Sequence, residues 1–156
     1  MTPAVNIAKK AKIDYTLHSY THDPASASYG EEASEKLGIP SDRVFKTLVA
    51  QIDSHELVVA VIPVSSMLSM KQTAKAAGGK KAQMAVGADV ERSSGYILGG
   101  VSPLGQKKRL RTFIHETAEN FPTIYVSAGR RGLEIELAPN DLAKVSDAKM
   151  VALCAE

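Results

Sequence analysis

The sequence predicts a single α+β domain over residues 1–156. Three observations carry that prediction. Two adjoining runs, VFKTLVAQI (44–52) and ELVVAVIP (56–63), are apolar on both strand faces and meet at the turn DSHE, the pattern of neighbouring strands deep in a sheet. A second pair, TIYVSAG and LEIEL, flanks the turn RRG as a hairpin. Short helical patterns fall around these strands without strict βαβ alternation, which favours a mixed sheet over a doubly wound one.

Element by element, Thr2 followed by Pro3 is an N-cap with proline at the first helical position, so residues 3–12 read as a short helix with an exposed lysine face. In IDYTLHSY, Ile13, Tyr15 and Leu17 alternate with Asp14, Thr16 and His18, the period of a half-buried strand ending near Tyr20. THDPASAS breaks it. Ser28 and Glu31 have capping-box spacing, Ala33 and Leu37 form an apolar stripe, and Gly38 supplies the stop, giving a helix over 29–37. Ser69 opens a lysine-bearing helix that ends at Gly78 and Gly79, residues 87–94 read as another short helix, and GYIL (95–98) reads as a strand leading into a glycine loop. Beyond the hairpin come a short helix near PNDLAKV and an apolar tail, KMVALC. Nothing marks a linker, a repeat or a low-complexity segment.

A hydrophobic fraction of 44% with 23% charged residues is ordinary for a globular chain, and three Phe with no Trp argue against a broad surface for stacking RNA bases. Net charge is only +2, but Lys9, Lys10, Lys12, Lys80, Lys81 and the run Lys107 to Arg111 form local basic clusters. The single cysteine, Cys154, can close no intrachain disulfide, and neither cysteine nor His18, His22, His55 and His115 have metal-ligand spacing. A reducing, cytoplasmic setting without a metal is expected. The amino terminus lacks a signal-like apolar run, and no segment approaches the ~18 apolar residues of a membrane span, so a membrane is not an expected partner; DNA is not expected as one either.

Three places hold chemistry. Lys46 interrupts an apolar strand between Phe45 and Leu48; because an unpaired buried ammonium costs several kcal/mol, it either snorkels to the rim or serves a site. GGVSPLGQKKRLRTF (99–113) joins a glycine loop, whose amides suit a carbonyl or phosphate, to Lys107, Lys108, Arg109 and Arg111, which taken alone read as a solvated strand edge before a polyanion contact. SAGRRGLEIEL sets Ser127 at a strand end before a basic turn, with Glu134 opposite in face to Leu133 and Ile135. Alone it reads as a hairpin with a surface carboxylate.

Taken together and in this order, MTPAVNIA, VFKTLV, GYILGGVSPLGQKKRL and TIYVSAGRRGLEIEL resemble the YbaK-type Cys-tRNA(Pro) deacylases over essentially the whole chain. The resemblance is specific at Lys46 and in the loop Gly99 to Pro103. It implies a mixed, barrel-like sheet flanked by helices, no cofactor, and a pocket for the aminoacyl end of tRNA between Lys46 and the glycine loop. By position it assigns Lys46, Gly99 and Tyr20 to catalysis and Thr47, Tyr29, Gly100, Ser102, Ser127 and Glu134 to substrate contact. Lys107, Lys108, Arg109 and Arg111 would meet acceptor-stem phosphates, positioning the RNA without reading its sequence. Prolyl-tRNA synthetase is an implied partner. Two positions depart from the family pattern, which commonly has aspartate where this chain has Glu134 and phenylalanine where it has Tyr29. The implied reaction uses the substrate's own cysteine thiol as nucleophile and leaves a thiolactone. Two other readings stay open: a tRNA-binding or synthetase-associated module without turnover, and a related deacylase that uses water on alanyl or seryl esters.

Overall fold

The computed structural model describes residues 1–26 and 28–155. Helices α1 (Pro3–Lys10), α2 (Tyr29–Leu37), α3 (Met70–Ala77), α4 (Gly87–Ser94) and α5 (Pro139–Ser146) accompany strands β1 (Tyr15–Ser19), β2 (Phe45–Ile52), β3 (Glu56–Pro63), β4 (Ala82–Met84), β5 (Arg111–His115), β6 (Ile124–Arg130), β7 (Leu133–Leu137) and β8 (Ala148–Val151). The α+β class holds. None of the described helices is long and apolar enough to cross a membrane.

The strands form two sheets, an antiparallel one ordered β1-β7-β6 and a mixed one ordered β4-β2-β3-β5-β8. β2 and β3 pair antiparallel from Phe45↔Pro63 to Ile52↔Glu56, while β5 runs parallel to both β3 and β8. Phe45, Val49, Val59, Val61 and Ile114 from the mixed sheet pack against Ile124, Val126, Ile135 and Leu137 from the other, closing the main core. The opposite face of the mixed sheet carries a smaller core in which Ala50, Ala60, Ile62 and Phe113 meet Ala77 and Leu153. A single parallel bridge, Val44↔Tyr125, links the sheets, so they approach a barrel without closing one.

Local chemistry explains most boundaries. Thr2 caps α1 by accepting the Val5 N–H at 3.2 Å, and Ser69 caps α3 by accepting that of Gln72 at 3.1 Å. Gly38, Gly78 and Gly95 end α2, α3 and α4 in the left-handed conformation that a Cβ disfavours. α1 stops two residues earlier than the sequence suggests, with Ala11 as its C-cap.

The structure corrects three expectations. Ser28 does sit at the N-cap of α2, but its side chain makes no capping bond. Leu17 does not face the core: it is exposed, and its neighbour His18 turns inward to Glu136 at 2.8 Å and to the Tyr125 ring. β1 is an edge strand, so alternation there does not decide which face is buried. GYIL is not a strand. Gly95 caps α4, the buried Tyr96 donates its hydroxyl to the Leu104 carbonyl at 2.5 Å, and Ile97 and Leu98 turn outward. The strand in that region is RTFIH, which begins inside the basic run and lies inside the mixed sheet, between β3 and β8.

Gly105 places the loop after Pro103. Its φ is +66°, and a Cβ there would lie 2.6 Å from the carbonyl oxygen of Pro3 in α1. Left-handed strain and a backbone clash then act together. Gly105→Ala is expected to cost about 2 kcal/mol or more; a denaturation midpoint equal to the parent's contradicts this account of the loop.

Candidate active site

β4 pairs with β2 only over Ala50 to Ile52, which leaves the outer edge of β2 from Phe45 to Val49 without a strand partner. A cleft of about 530 Å³ runs along that edge. Tyr20, Tyr29, Lys46, Thr47, Gly99, Ser127 and Glu134 all line it, although they come from widely separated parts of the chain. Apolar side chains, among them Phe45, Leu48, Val90 and Val101, form the rest of the wall.

Thr47 presents unspent polar groups. Val44 accepts the Val64 N–H on the β3 side of the strand, whereas Val49 accepts the Ala85 N–H on the outer side. Alternate residues of an antiparallel strand turn both backbone groups the same way, so Thr47 directs its N–H and C=O outward, toward the cleft. Its Oγ1 is buried without a hydrogen-bond partner.

Lys46 is half-buried and shares a strand face with Leu48 and Ala50. No carboxylate pairs with it among the described residues. Burial pushes the Cys154 thiol up; a Ser66 hydrogen bond and the Lys46 ammonium pull it back. Lys46 is therefore a cation in an apolar wall with its attraction for an anion unspent.

Glu134 is the opposite anomaly. It is 6% exposed, and burial pushes its carboxyl pKa up to about 8. Around neutral pH it holds its proton. Tyr20 is held up to about 12, first by burial and then by the Glu134 charge, so its phenol remains a donor. Ser127 stands opposite Glu134 in the hairpin register and accepts the Gly129 N–H at 3.1 Å. Its hydroxyl hydrogen is left to donate.

The glycine loop behaves differently at each position. Gly99 lines the cleft at φ +92°, where a Cβ would lie 2.5 Å from Arg131 Nε and 2.7 Å from the Tyr29 ring. Its N–H has no partner among the described residues. Gly100 does not offer its amide, because that N–H is donated to the Ile97 carbonyl at 2.9 Å. Ser102 is corrected as well: it is fully buried, its hydroxyl accepts the Leu104 N–H, and it does not line the cleft. Both residues shape the loop.

The basic run also divides. Lys107, Lys108 and Arg109 are exposed, and the backbone N–H groups of Lys107 and Lys108 bond to Ser94 and Ser93 at the far end of α4 from the cleft. Arg111 is already engaged, by a bidentate pair with Glu56 at 2.8 Å and a bond to the Ala77 carbonyl. It is a strut of the sheet, and its assignment to phosphate is corrected. The cations that line the cleft besides Lys46 are Arg130 and Arg131, which the sequence shows only as a basic turn. Arg131 lies 3.9 Å above the centre of the Tyr29 ring, donates to the Tyr29 hydroxyl and to the Leu98 carbonyl, and approaches His22 Nε2 at 3.4 Å. His22 is in turn held by the buried Glu32 at 2.6 Å.

Comparison with known proteins gives this arrangement a context. Residues 23–145 match the family model described as the aminoacyl-tRNA editing domain. The chain is 39% identical over 154 residues, 97% of its length and 92% of the relative's, to an Enterococcus faecalis protein named "Putative Cys-tRNA(Pro)/Cys-tRNA(Cys) deacylase EbsC". It is 25% identical over 130 residues, 83% of its length and 82% of the relative's, to the uncharacterized protein YwhH of Bacillus subtilis. Among solved structures, one described as "a putative trans-editing enzyme for prolyl tRNA synthetase" superposes with a TM-score of 0.83 at 18% identity, covering 99% of this chain and 96% of that one. The hypothetical protein APE2540 superposes with a TM-score of 0.86 at 19% identity, covering 98% and 99%. At those identities the superpositions speak for the fold.

Proposed function

The chain belongs to the aminoacyl-tRNA editing domain family, and on that premise we propose that it is a free-standing deacylase that removes cysteine from mischarged Cys-tRNA(Pro), and from Cys-tRNA(Cys) as well. The observation that carries this reading is the unpaired Lys46 in a cleft that also holds the proton-bearing Glu134. An ester enters such a site with a place for negative charge and a place for a proton. Among the described residues no histidine lines the cleft to activate Ser127, and the resemblance to the Cys-tRNA(Pro) deacylases implies that the substrate's own thiol is the nucleophile.

The cysteine thiol attacks its own ester carbon. A sulfur–carbon bond forms, the carbon–oxygen bond to the ribose breaks, the thiol gives up a proton and the ribose oxygen gains one, leaving a thiolactone and free tRNA. A free thiol has a pKa of about 8.5, close to the value of about 8 at Glu134. The protonated carboxyl gives its proton to the leaving ribose oxygen, and the carboxylate so formed takes up the thiol proton in a transfer close to isoenergetic. The Lys46 ammonium favours thiolate and, with the Gly99 N–H, stabilises the oxyanion. Thr47, Ser127, Tyr20 and Tyr29 hold the ester in place, and that positioning supplies part of the barrier reduction. Alanyl and seryl esters have no thiol to offer, so selectivity is chemical as well as steric.

The test is a panel of charged tRNAs incubated with the purified protein. Loss of the cysteinyl ester with release of thiolactone, alanyl and seryl esters being spared, is the expected result. A stable cysteinyl ester sinks the reading in favour of a binding module; cleavage of alanyl or seryl esters to free amino acid assigns the water-using chemistry. Adding prolyl-tRNA synthetase to the panel tests it as the partner that selects the tRNA. A cytoplasmic location goes with this role.

Lys107, Lys108 and Arg109 belong to the same proposal as contacts to acceptor-stem phosphates. Replacing all three by alanine is expected to weaken tRNA binding for every acceptor sequence alike and to reduce the slope of log affinity against log salt by roughly 0.7 to 0.9 for each phosphate no longer neutralised. Saturating tRNA restores the rate, because the ester still meets Lys46. An unchanged slope returns the run to a solvated surface.

A further inference from the structure

We propose that Glu32 and His22 are positioning residues for the Gly99 amide: acting through Arg131, they fix the plane of the Leu98–Gly99 peptide, whose N–H meets the oxyanion, and they do so only while the imidazole is uncharged. This rests on the reading of the cleft as an aminoacyl-ester site. Neither Glu32 nor His22 lines the cleft, and no step of the ester cleavage uses them. Glu32 is nevertheless only 4% exposed. Burial pushes its carboxyl up, but the bonds from His22 and from the Asp23 N–H pull it below the ordinary carboxylate value, so it is ionised near neutral pH. Its Oε1 lies 2.6 Å from His22 Nδ1, and its Oε2 accepts the Asp23 N–H at 2.7 Å. An ionised carboxylate only accepts, so Nδ1 must carry the hydrogen and Nε2 is left with a lone pair.

The other side of the ring demands the same tautomer. Nη1 of Arg131, a group that only donates, stands 3.4 Å from Nε2. Nη2 of the same guanidinium donates to the Tyr29 hydroxyl and, at 3.2 Å, to the Leu98 carbonyl. That carbonyl and the Gly99 N–H belong to one planar trans peptide, so a bond that fixes the first fixes the direction of the second and polarises it. A proton on Nε2 undoes this. It turns the acceptor into a donor and sets an imidazolium against the guanidinium, which then releases the Leu98 carbonyl. Facing His22 are Glu32 and the Tyr29 ring from α2, Arg131 from the β6–β7 turn, and on its own segment Asp23, whose carboxylate turns to the Ala25 N–H. The Glu32 charge also reaches Tyr20 and Lys36. Glu32 favours proton uptake by the ring and Arg131 opposes it.

The test follows the His22 ring nitrogens and the Gly99 amide by NMR in the free protein, beside cleavage of Cys-tRNA(Pro), between about pH 5 and pH 8. In the parent the ring hydrogen sits on Nδ1, and the Gly99 amide shift moves as His22 takes up its second proton. His22→Gln supplies one donor and one acceptor and does not titrate. Its Gly99 shift stays still, and its rate relative to the parent's rises as the pH falls. Glu32→Gln offers one acceptor to two N–H donors: its oxygen stays with Asp23, its amide donates to Nδ1, and the ring hydrogen moves to Nε2 against Arg131. That variant loses about 10- to 100-fold in kcat at every pH, with KM little changed. A Glu32 kept only for structure would lower the unfolding midpoint of this variant and leave its kcat alone. Expected spectra with parental kcat in Glu32→Gln overturn the positioning while the deacylase stands. A hydrogen on Nε2 in the parent, or a Gly99 shift that ignores His22, overturns the proposal with or without cleavage. A parent that cleaves no cysteinyl ester but shows the Nδ1 tautomer and the coupled Gly99 shift keeps the positioning of that amide and overturns the deacylase.

Discussion

Lys46→Ala is expected to slow cysteinyl-ester cleavage by about 10²–10³-fold, the usual loss when an oxyanion partner is removed from a closed site. Its thermal unfolding should stay at or slightly above the parent's. The two halves of this expectation come from the same fact. No carboxylate pairs with Lys46 among the described residues, so its removal breaks no ion pair and relieves an ammonium of partial desolvation. A lysine kept for stability would show the reverse, a lower midpoint and an unchanged rate. Lys46→Met separates charge from packing, since it keeps most of the aliphatic stem: it should match Lys46→Ala in activity and the parent in stability. A Met variant that turns over at the parental rate removes Lys46 from the chemistry.

Lys46 was legible in the sequence because one cation in an eight-residue apolar strand violates a strong pattern. The hairpin of β6 and β7, the central pair β2 and β3, and the helix caps at Thr2 and Ser69 were legible for the same reason, since each is fixed by residues adjacent in the chain. What the sequence hides is what distant contacts decide. The segment RTFIH looks like the tail of a basic run, yet it is buried in the sheet because β3 and β8 cover its two edges. The same packing engages Arg111 by giving it Glu56 as a partner. Arg130 and Arg131 read as an ordinary polar turn until Tyr29 and Leu98, which lie 102 and 33 residues before Arg131, are brought against it. Gly100 and Ser102 fail as substrate contacts because the turn they form consumes their own polar groups. A signal was present in the doubled arginine between Gly129 and Gly132, next to the strand that carries Ser127, but charge in a turn is too common to single it out.

Glu134 shows the limit most clearly, and it yields the second large effect. In the sequence it is one carboxylate in LEIEL; in the fold it is buried, with a pKa of about 8 against the ordinary 4.5. The native state therefore binds a proton that the unfolded chain releases between those two values. Stability falls as pH rises through that window and levels off above about 8. Glu134→Gln keeps the shape and removes the titration. The variant should equal the parent near pH 4 and be the more stable protein at pH 8, by up to roughly 4 kcal/mol, since each tenfold change in proton affinity is worth ~1.4 kcal/mol. Unfolding midpoints in denaturant, measured across that range for both proteins, check it. Parallel curves at all pH values mean that the carboxyl is solvated and ionised in the native state, which removes it as a proton carrier. Activity supplies the second arm. If Glu134 gives its proton to the ribose oxygen and takes up that of the thiol, the more stable glutamine variant should lose about 10²–10⁴-fold in kcat with little change in KM. A variant that gains stability and keeps its rate leaves Glu134 as a wall of the cleft and assigns the proton to solvent, with the Lys46 ammonium still favouring the thiolate.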